Sequence, residues 1–147
     1  MAGDRDLEEM LHQPPPEDDL GVQEYLDGFA RALTAGDGDT IAQMWETPAF
    51  VLGAGMARVV TSSDEVAEFF GGAREQYNAM NVTDTRPEII RLDEISDHLV
   101  MVRVRWPYLD KEGREVGAET STYTLTREGG GEWKIRIAVM HGQEAVH

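Results

Sequence analysis

The sequence contains no cysteine. Disulfides, thiol nucleophiles, thiolate zinc sites and iron–sulfur clusters are excluded together. Histidine is scarce: His12, His98, His141 and His147 stand apart, without the close spacing that ligates a metal. Acids are abundant, but no Asp-x-Asp-x-Asp loop with a trailing glutamate occurs, which excludes an EF-hand, and no metal is expected. No apolar run approaches the ~20 residues that span a bilayer, so no membrane partner is expected. The opening Met-Ala-Gly-Asp-Arg-Asp has neither the basic-then-apolar layout of a secretory signal nor the acid-poor character of a transit peptide, and a cytoplasmic location is the expectation. Positive charge is short as well. Thirteen bases stand against 28 acids, a net charge of −15, which repels nucleic acid.

The deficit is uneven along the chain. Residues 1–97 carry 21 acids and 6 bases, whereas residues 98–141 carry 6 acids and 7 bases. An acidic helical surface over a near-neutral sheet is the simplest reading. With 147 residues and 41% hydrophobic content, the chain is long enough for one domain with a substantial core. Residues 1–16, with Asp4, Asp6, Glu8, Glu9 and the run Pro14-Pro15-Pro16, read as a disordered acidic, Pro-rich tail; a partner-binding arm is the sharper alternative. Residues 17–142 form the domain, and 143–147 a C-terminal tail.

Helical patterns come first. Val22, Tyr25, Leu26, Phe29 and Leu33 recur at helical spacing to about Ala35, where Gly36-Asp37-Gly38-Asp39 stops one helix and caps the next. Ile41, Met44 and Trp45 mark that short second helix, closed before Pro48. Ala49–Leu52 and Ala57–Thr61 read as short strands. Ser62-Ser63-Asp64-Glu65 is a capping box for a third helix, whose face Val66, Phe69, Phe70, Ala73, Tyr77 and Met80 is weakened at Gly71-Gly72. Strands follow at 88–95, 98–108, 119–126 and 133–141, the second returned by Asp110-Lys111-Glu112-Gly113 and the third by Glu128-Gly129-Gly130-Gly131. Helices first and a strand meander last predict an α+β domain, with three N-terminal helices packed on a strongly curved, mostly antiparallel sheet.

Alternation assigns the faces. If Trp133, Ile135, Ile137 and Val139 face the helices, His141 follows them inward. Regular turns then put Leu125 opposite Ile135, Tyr123 opposite Ile137 and Val100, and Glu119 opposite His141 and Val104. Val100, Val102, Val104 and Trp106 also fall inside. Glu119 beside His141 has two readings. It is either an acid/base pair, the carboxylate fixing the imidazole tautomer, or a satisfied polar pair closing the open end of the core. Tyr25, Phe29, Trp45, Trp106 and Tyr123 wall the same hollow, or simply fill it. Met101, Arg103, Arg105, Thr120, Thr122, Thr124, Arg136 and Met140 collect on the outer face, which reads either as a solvated surface or as a homodimer contact.

Several stretches together resemble the nuclear transport factor 2-like superfamily, the cone-shaped, cystatin-like fold of ketosteroid isomerases, SnoaL-like polyketide cyclases and limonene epoxide hydrolases. They are Leu33-Thr34-Ala35-Gly36-Asp37-Gly38-Asp39, the following helix with Trp45, the capped helix from Ser62, and the ending from Tyr123 through Gly131-Glu132-Trp133-Lys134-Ile135 to His141-Gly142. The resemblance covers about residues 20–142 and implies a partly apolar small-molecule pocket and frequent homodimers. Aligned on the Ala-Gly-Asp-x-Asp turn, the ketosteroid isomerase tyrosine falls on Phe29, its base near Gly53 and its second acid near Ser121 or Thr122, none of which can do that chemistry. His141 is the residue comparable to the late acid/base group of the cyclases. The expectation is a small-molecule-binding protein with its pocket at Tyr25, Phe29, Trp45 and Trp106. One alternative is a cofactor-free lyase, isomerase or cyclase using His141 as acid/base, Glu119 as its orienter and Tyr123 as hydrogen-bond donor. Another is a dimeric protein-interaction module.

Overall fold

Strand pairing in the C-terminal half organises the molecule. The computed structural model describes residues 20–143; the two proposed tails lie outside them, apart from residue 143. The helices are α1 (Val22–Ala35), α2 (Gly38–Gln43), α3 (Ser63–Phe70) and α4 (Ala73–Ala79). The strands are β1 (Trp45–Gly53), β2 (Met56–Val60), β3 (Asp84–Thr85), β4 (Glu88–Ser96), β5 (Leu99–Leu109), β6 (Glu115–Thr126) and β7 (Lys134–Gln143). Their order in the sheet is β2-β1-β7-β6-β5, with β3 and β4 sharing the far side of β5. All pairs are antiparallel except β1 with β7. This is the α+β layering that the sequence predicts, helices on a curved and mostly antiparallel sheet. None of the helices is long and apolar enough to cross a membrane.

The helices form where the patterns place them, with two differences. In α1, Val22, Leu26, Phe29, Ala30 and Leu33 are buried on one face. Gly36 ends it in the left-handed region (φ 69°), and the Asp37 side chain caps α2 by accepting from the Thr40 backbone N–H at 3.2 Å and its hydroxyl at 2.6 Å. Trp45 is not helical. It starts β1 opposite Ile135, because burying the indole in the sheet outweighs one more helical turn. Ser62 caps α3 as expected, but Glu65 turns to Thr61 instead of completing the reciprocal bond. The third helix breaks at Gly71-Gly72, where two adjacent glycines each cost about 1 kcal/mol of helix propensity, and resumes as α4.

Register explains which inward assignments hold. Across β5–β6, Tyr123 faces Val102 and Glu119 faces Trp106, two residues from the expected partners. A shift of two leaves every side chain on its own face, so Val100, Val102, Val104, Trp106, Tyr123 and Leu125 are all buried as predicted. Across β6–β7 the offset is odd. Leu125 pairs with Ile135, but Thr124 pairs with Ile137, leaving Arg136 as the extra residue of a bulge. Beyond it the faces exchange: Ala138 is buried and Met140 half-buried, whereas Ile137 and His141 are exposed. Inward placement of Ile137, Val139 and His141, and outward placement of Met140, are corrected by that single residue.

The helical layer is tightest where α2 meets α3. A Cβ added at Gly38 would lie 2.7 Å from the Ala67 carbonyl oxygen, a backbone atom that cannot move independently. Gly38→Ala should therefore destabilise the fold by about 1–3 kcal/mol despite its better helix propensity, read as a lower urea midpoint at unchanged slope. A midpoint at or above the wild-type value would contradict the close approach.

Candidate functional site

Aromatic side chains from both layers converge on Phe29. Its buried ring meets Phe70 of α3, Trp106 of β5 and Tyr123 of β6 edge-on, with centroids 5.9, 5.7 and 6.2 Å away. Trp45 joins through Phe70 at 5.6 Å. Each such pair contributes about 0.5–1.5 kcal/mol beyond its buried area. Large rigid rings do not fill space completely, and a cavity of about 60 Å³ remains between helices and sheet. Its floor is buried and includes Trp45, Trp106, Ser121 and Tyr123; its mouth is half-buried and includes Phe69, Tyr77, Glu119 and Met140.

Polar groups in the wall are mostly satisfied. Trp106 Nε1 donates to the Tyr123 hydroxyl at 3.0 Å, and the Ser121 hydroxyl lies close to the same tyrosine. Glu119, inward on β6, lies near enough to the Tyr108 hydroxyl for its charge to act on it. Gly117 permits this contact: a Cβ there would approach the Tyr108 ring to 3.0 Å, so the ring can lie across β6 only because residue 117 has no side chain. One donor is left over. Trp45 Nε1 is buried and has no hydrogen-bond partner among the described residues. Leaving such a group unpaired costs about 1–3 kcal/mol.

All four tyrosines are held protonated. Burial pushes Tyr77 up to about 12, with the Glu119 charge adding to the effect. Burial likewise raises Tyr108, reinforced by the charge of Glu119. In Tyr123 burial outweighs the opposing effects of Ser121 and Trp106. Tyr25 is raised by burial and by nearby Tyr123. Glu119 thus faces a set of neutral hydroxyls, suited to donating hydrogen bonds to a bound group.

The sequence-derived site is brought together in part. Phe29, Trp45, Trp106, Glu119 and Tyr123 all line the cavity. Tyr25 does not; its hydroxyl donates to the Met44 carbonyl at 2.5 Å and braces the α2–β1 junction. His141 does not either. It stands on the outer face with Nε2 2.8 Å from the Thr122 hydroxyl, and it is the extra residue of a second β7 bulge, where Ser121 pairs with Met140 but Thr120 with Gly142. No His–Glu pair forms. Tyr77, Phe70, Ser121 and Met140 are among the lining residues that the strand argument leaves out. Ser121 was readable from the 119, 121, 123 alternation, whereas Tyr77 and Phe70 are signalled only as members of a helical apolar face.

A larger, open groove of about 820 Å³ lies between α1, α2 and the β6–β7 turn. Three of its polar groups serve the fold: Asp37 caps α2, Arg127 lies 4.2 Å over the Trp133 ring, and Trp133 Nε1 donates to the Leu20 carbonyl at 2.8 Å. The smaller cavity, enclosed by aromatic rings beside a carboxylate, is the better candidate despite its size.

Residues 17–143 match the family described as NTF2-like protein (DUF6841). No curated protein matches the sequence significantly. Solved structures are similar in fold. One is a domain of unknown function with a cystatin-like fold from Nostoc punctiforme (16% identity, TM-score 0.63, covering 88% of this chain and 79% of that one). A ketosteroid isomerase-like protein from Erwinia carotovora atroseptica is 19% identical (TM-score 0.61, covering 89% and 100%). An NTF-2 like protein of unknown function from Shewanella oneidensis is 17% identical (TM-score 0.62, covering 82% and 96%). At these identities the likeness shows the fold and nothing of the chemistry.

The tyrosines give a pH test. Their folded pKa values lie above the ordinary 10, so below pH 10 folded and unfolded chains bind the same tyrosine protons. Above it the unfolded chain loses protons first, and stability falls as pH rises. Phenolate absorbance should appear together with loss of circular dichroism, in one step above pH 10. Ionisation of several tyrosines near pH 10 with the dichroism intact would contradict the burial.

Proposed function

The chain belongs to the NTF2-like protein family (DUF6841), and within that fold we propose that it is a small-molecule-binding protein whose ligand enters the cavity between α1, α3 and the inner sheet face. The observation that carries this reading is the cavity itself, walled by aromatic rings and holding one carboxylate, Glu119. A mostly apolar hollow with a few polar groups is the usual form of a small-molecule site. Phe29, Trp106 and Tyr123 supply the apolar enclosure and Ser121 a hydroxyl.

The placement of Glu119 and Tyr77 at the same mouth favours an enzyme as the second reading. A carboxylate at the mouth, facing neutral tyrosine hydroxyls, has the parts for cofactor-free proton transfer, with Glu119 as base and Tyr77 or Tyr123 donating to a developing oxyanion. His141, on the opposite face, takes no part.

The outer face supports a homodimer. Val59, Phe50, Ile137, Thr124 and Met101 lie in one row across β2, β1, β7, β6 and β5, and four of these five are exposed hydrophobics. Arg105 nearby is neutralised by Glu88 at 3.3 Å and Glu115 at 2.6 Å. In a chain of net charge −15, this near-neutral sheet is the surface on which two copies approach with least repulsion.

Two measurements test these readings. Native mass spectrometry of the purified protein should show a bound small molecule that Glu119→Gln loses, while the variant's unfolding free energy stays within about 1 kcal/mol of wild type. Retention of the molecule by a folded Glu119→Gln protein would remove Glu119 from the site. Sedimentation equilibrium should show a dimer that Ile137→Glu converts to a folded monomer; a monomeric wild type at micromolar concentration would dispose of the outer-face contact.

A further inference from the structure

We infer that α4 is a lid on the inner cavity, which swings on the glycine pair behind it to let a ligand in; its purpose rests on the binding role proposed above. Size is the first reason. The structure encloses about 60 Å³ between helices and sheet, whereas a cavity that takes up benzene measures roughly 150 Å³. A molecule that binds there has to displace part of the wall. Most of that wall is fixed. Phe29, Trp45, Trp106 and Tyr123 are buried. α3 is pinned by buried Val66, by the approach of Gly38 to Ala67, and by the Phe70 ring edge-on to Phe29.

α4 is the exception. Ala73 and Tyr77, one turn apart, are half-buried, while the other five residues of the helix are exposed. No α4 side chain makes a hydrogen bond or ion pair among the described residues. Tyr77 closes the mouth, its ring centroid 6.1 Å from that of Tyr108, and Arg74 lies across Gly36 at the end of α1. A helix held by so few apolar contacts belongs to the low-stability end of a structure, where local opening precedes global unfolding. Both of its ends are built to turn. Gly71 and Gly72 are exposed, and a Cβ at Gly72 would meet nothing within 4 Å, so packing demands no glycine there. Beyond the helix Asn81 lies in the left-handed region (φ 62°). Buried Val82 and the bond from the Thr83 N–H to the Leu109 carbonyl at 2.9 Å then tie the chain to β5. Element-terminal residues of this kind absorb the backbone changes of a hinge. Rotation between them lifts Tyr77 from the mouth and uncovers Glu119.

The chain has no cysteine, so one introduced thiol reports the opening. Ser121→Cys places it on the buried floor of the cavity, and Ala138→Cys is the second reporter if the first variant does not fold. Methyl methanethiosulfonate should label this thiol in the native protein, far more slowly than it labels an exposed one. Well below the unfolding midpoint the rate should be nearly independent of urea, the signature of local opening. Adding Gly72→Ala, which restricts the hinge without a clash, should slow labelling about two- to fivefold. No ligand takes part, so the lid can fail here while the binding role stands, and that role can fail by mass spectrometry while the lid stands. A rate that rises with urea at the full unfolding slope overturns the lid, because the cavity then opens only when the whole protein does. Labelling as fast as that of an exposed thiol overturns it too, and an unchanged rate in Gly72→Ala overturns the glycine pair as the hinge.

Discussion

Between Leu125–Ile135 and Thr124–Ile137 the ladder joining β6 to β7 advances by one residue on one strand and by two on the other, and the inner face is built on that step. Side chains alternate with a period of two, so one unmatched residue exchanges the faces of everything beyond it. Without the bulge at Arg136, Ile137 and Val139 would project towards the helices, and branched side chains would occupy the space that Ala138 now leaves open. With it, small Ala138 and flexible Met140 lie against the rings. The cavity owes its existence to a backbone irregularity as much as to the side chains around it. The bulge also puts Ile137 into the outer apolar row, so one feature prepares both faces of the sheet.

The fold was readable because its signals are redundant. Five apolar positions of α1 agree on one face, the Asp37 and Ser62 caps lie where their side chains can reach backbone N–H groups, and Val100, Val102 and Val104 define a strand face without help from neighbours. Such agreement tolerates error: a register wrong by two still yielded the right inner face for β5 and β6. A register wrong by one could not be tolerated. Nothing in Lys134-Ile135-Arg136-Ile137 distinguishes a continuous strand from a bulged one, because isoleucine on either side of Arg136 is compatible with both. His141 was misplaced for that reason alone. Trp45 shows the converse case, a residue assigned to the wrong element that nevertheless reached the cavity because its burial was correctly anticipated.

Chemistry in the site is set by what surrounds Glu119. Tyrosines held protonated on α4, β5 and β6 stand around the carboxylate. Gly117 takes part without touching the cavity, since only a residue lacking Cβ lets the Tyr108 ring fold across β6. Phe29 has no hydroxyl to donate a proton and serves as a hub for three rings. The residues that make this interior rigid are also those that surround the approach to Glu119, and a charge beside an aromatic wall is felt more strongly than one in open water.

The parallel pairing of β1 with β7 has a consequence for biosynthesis. β1 leaves the ribosome early, directly after the two helices it follows, yet its inner neighbour is the final described strand. Until β7 emerges, α1 has no completed wall to cover, and Phe29, Leu26 and Ile41 lack the partners that bury them. Non-local closure of this kind delays folding until the last of these strands is available.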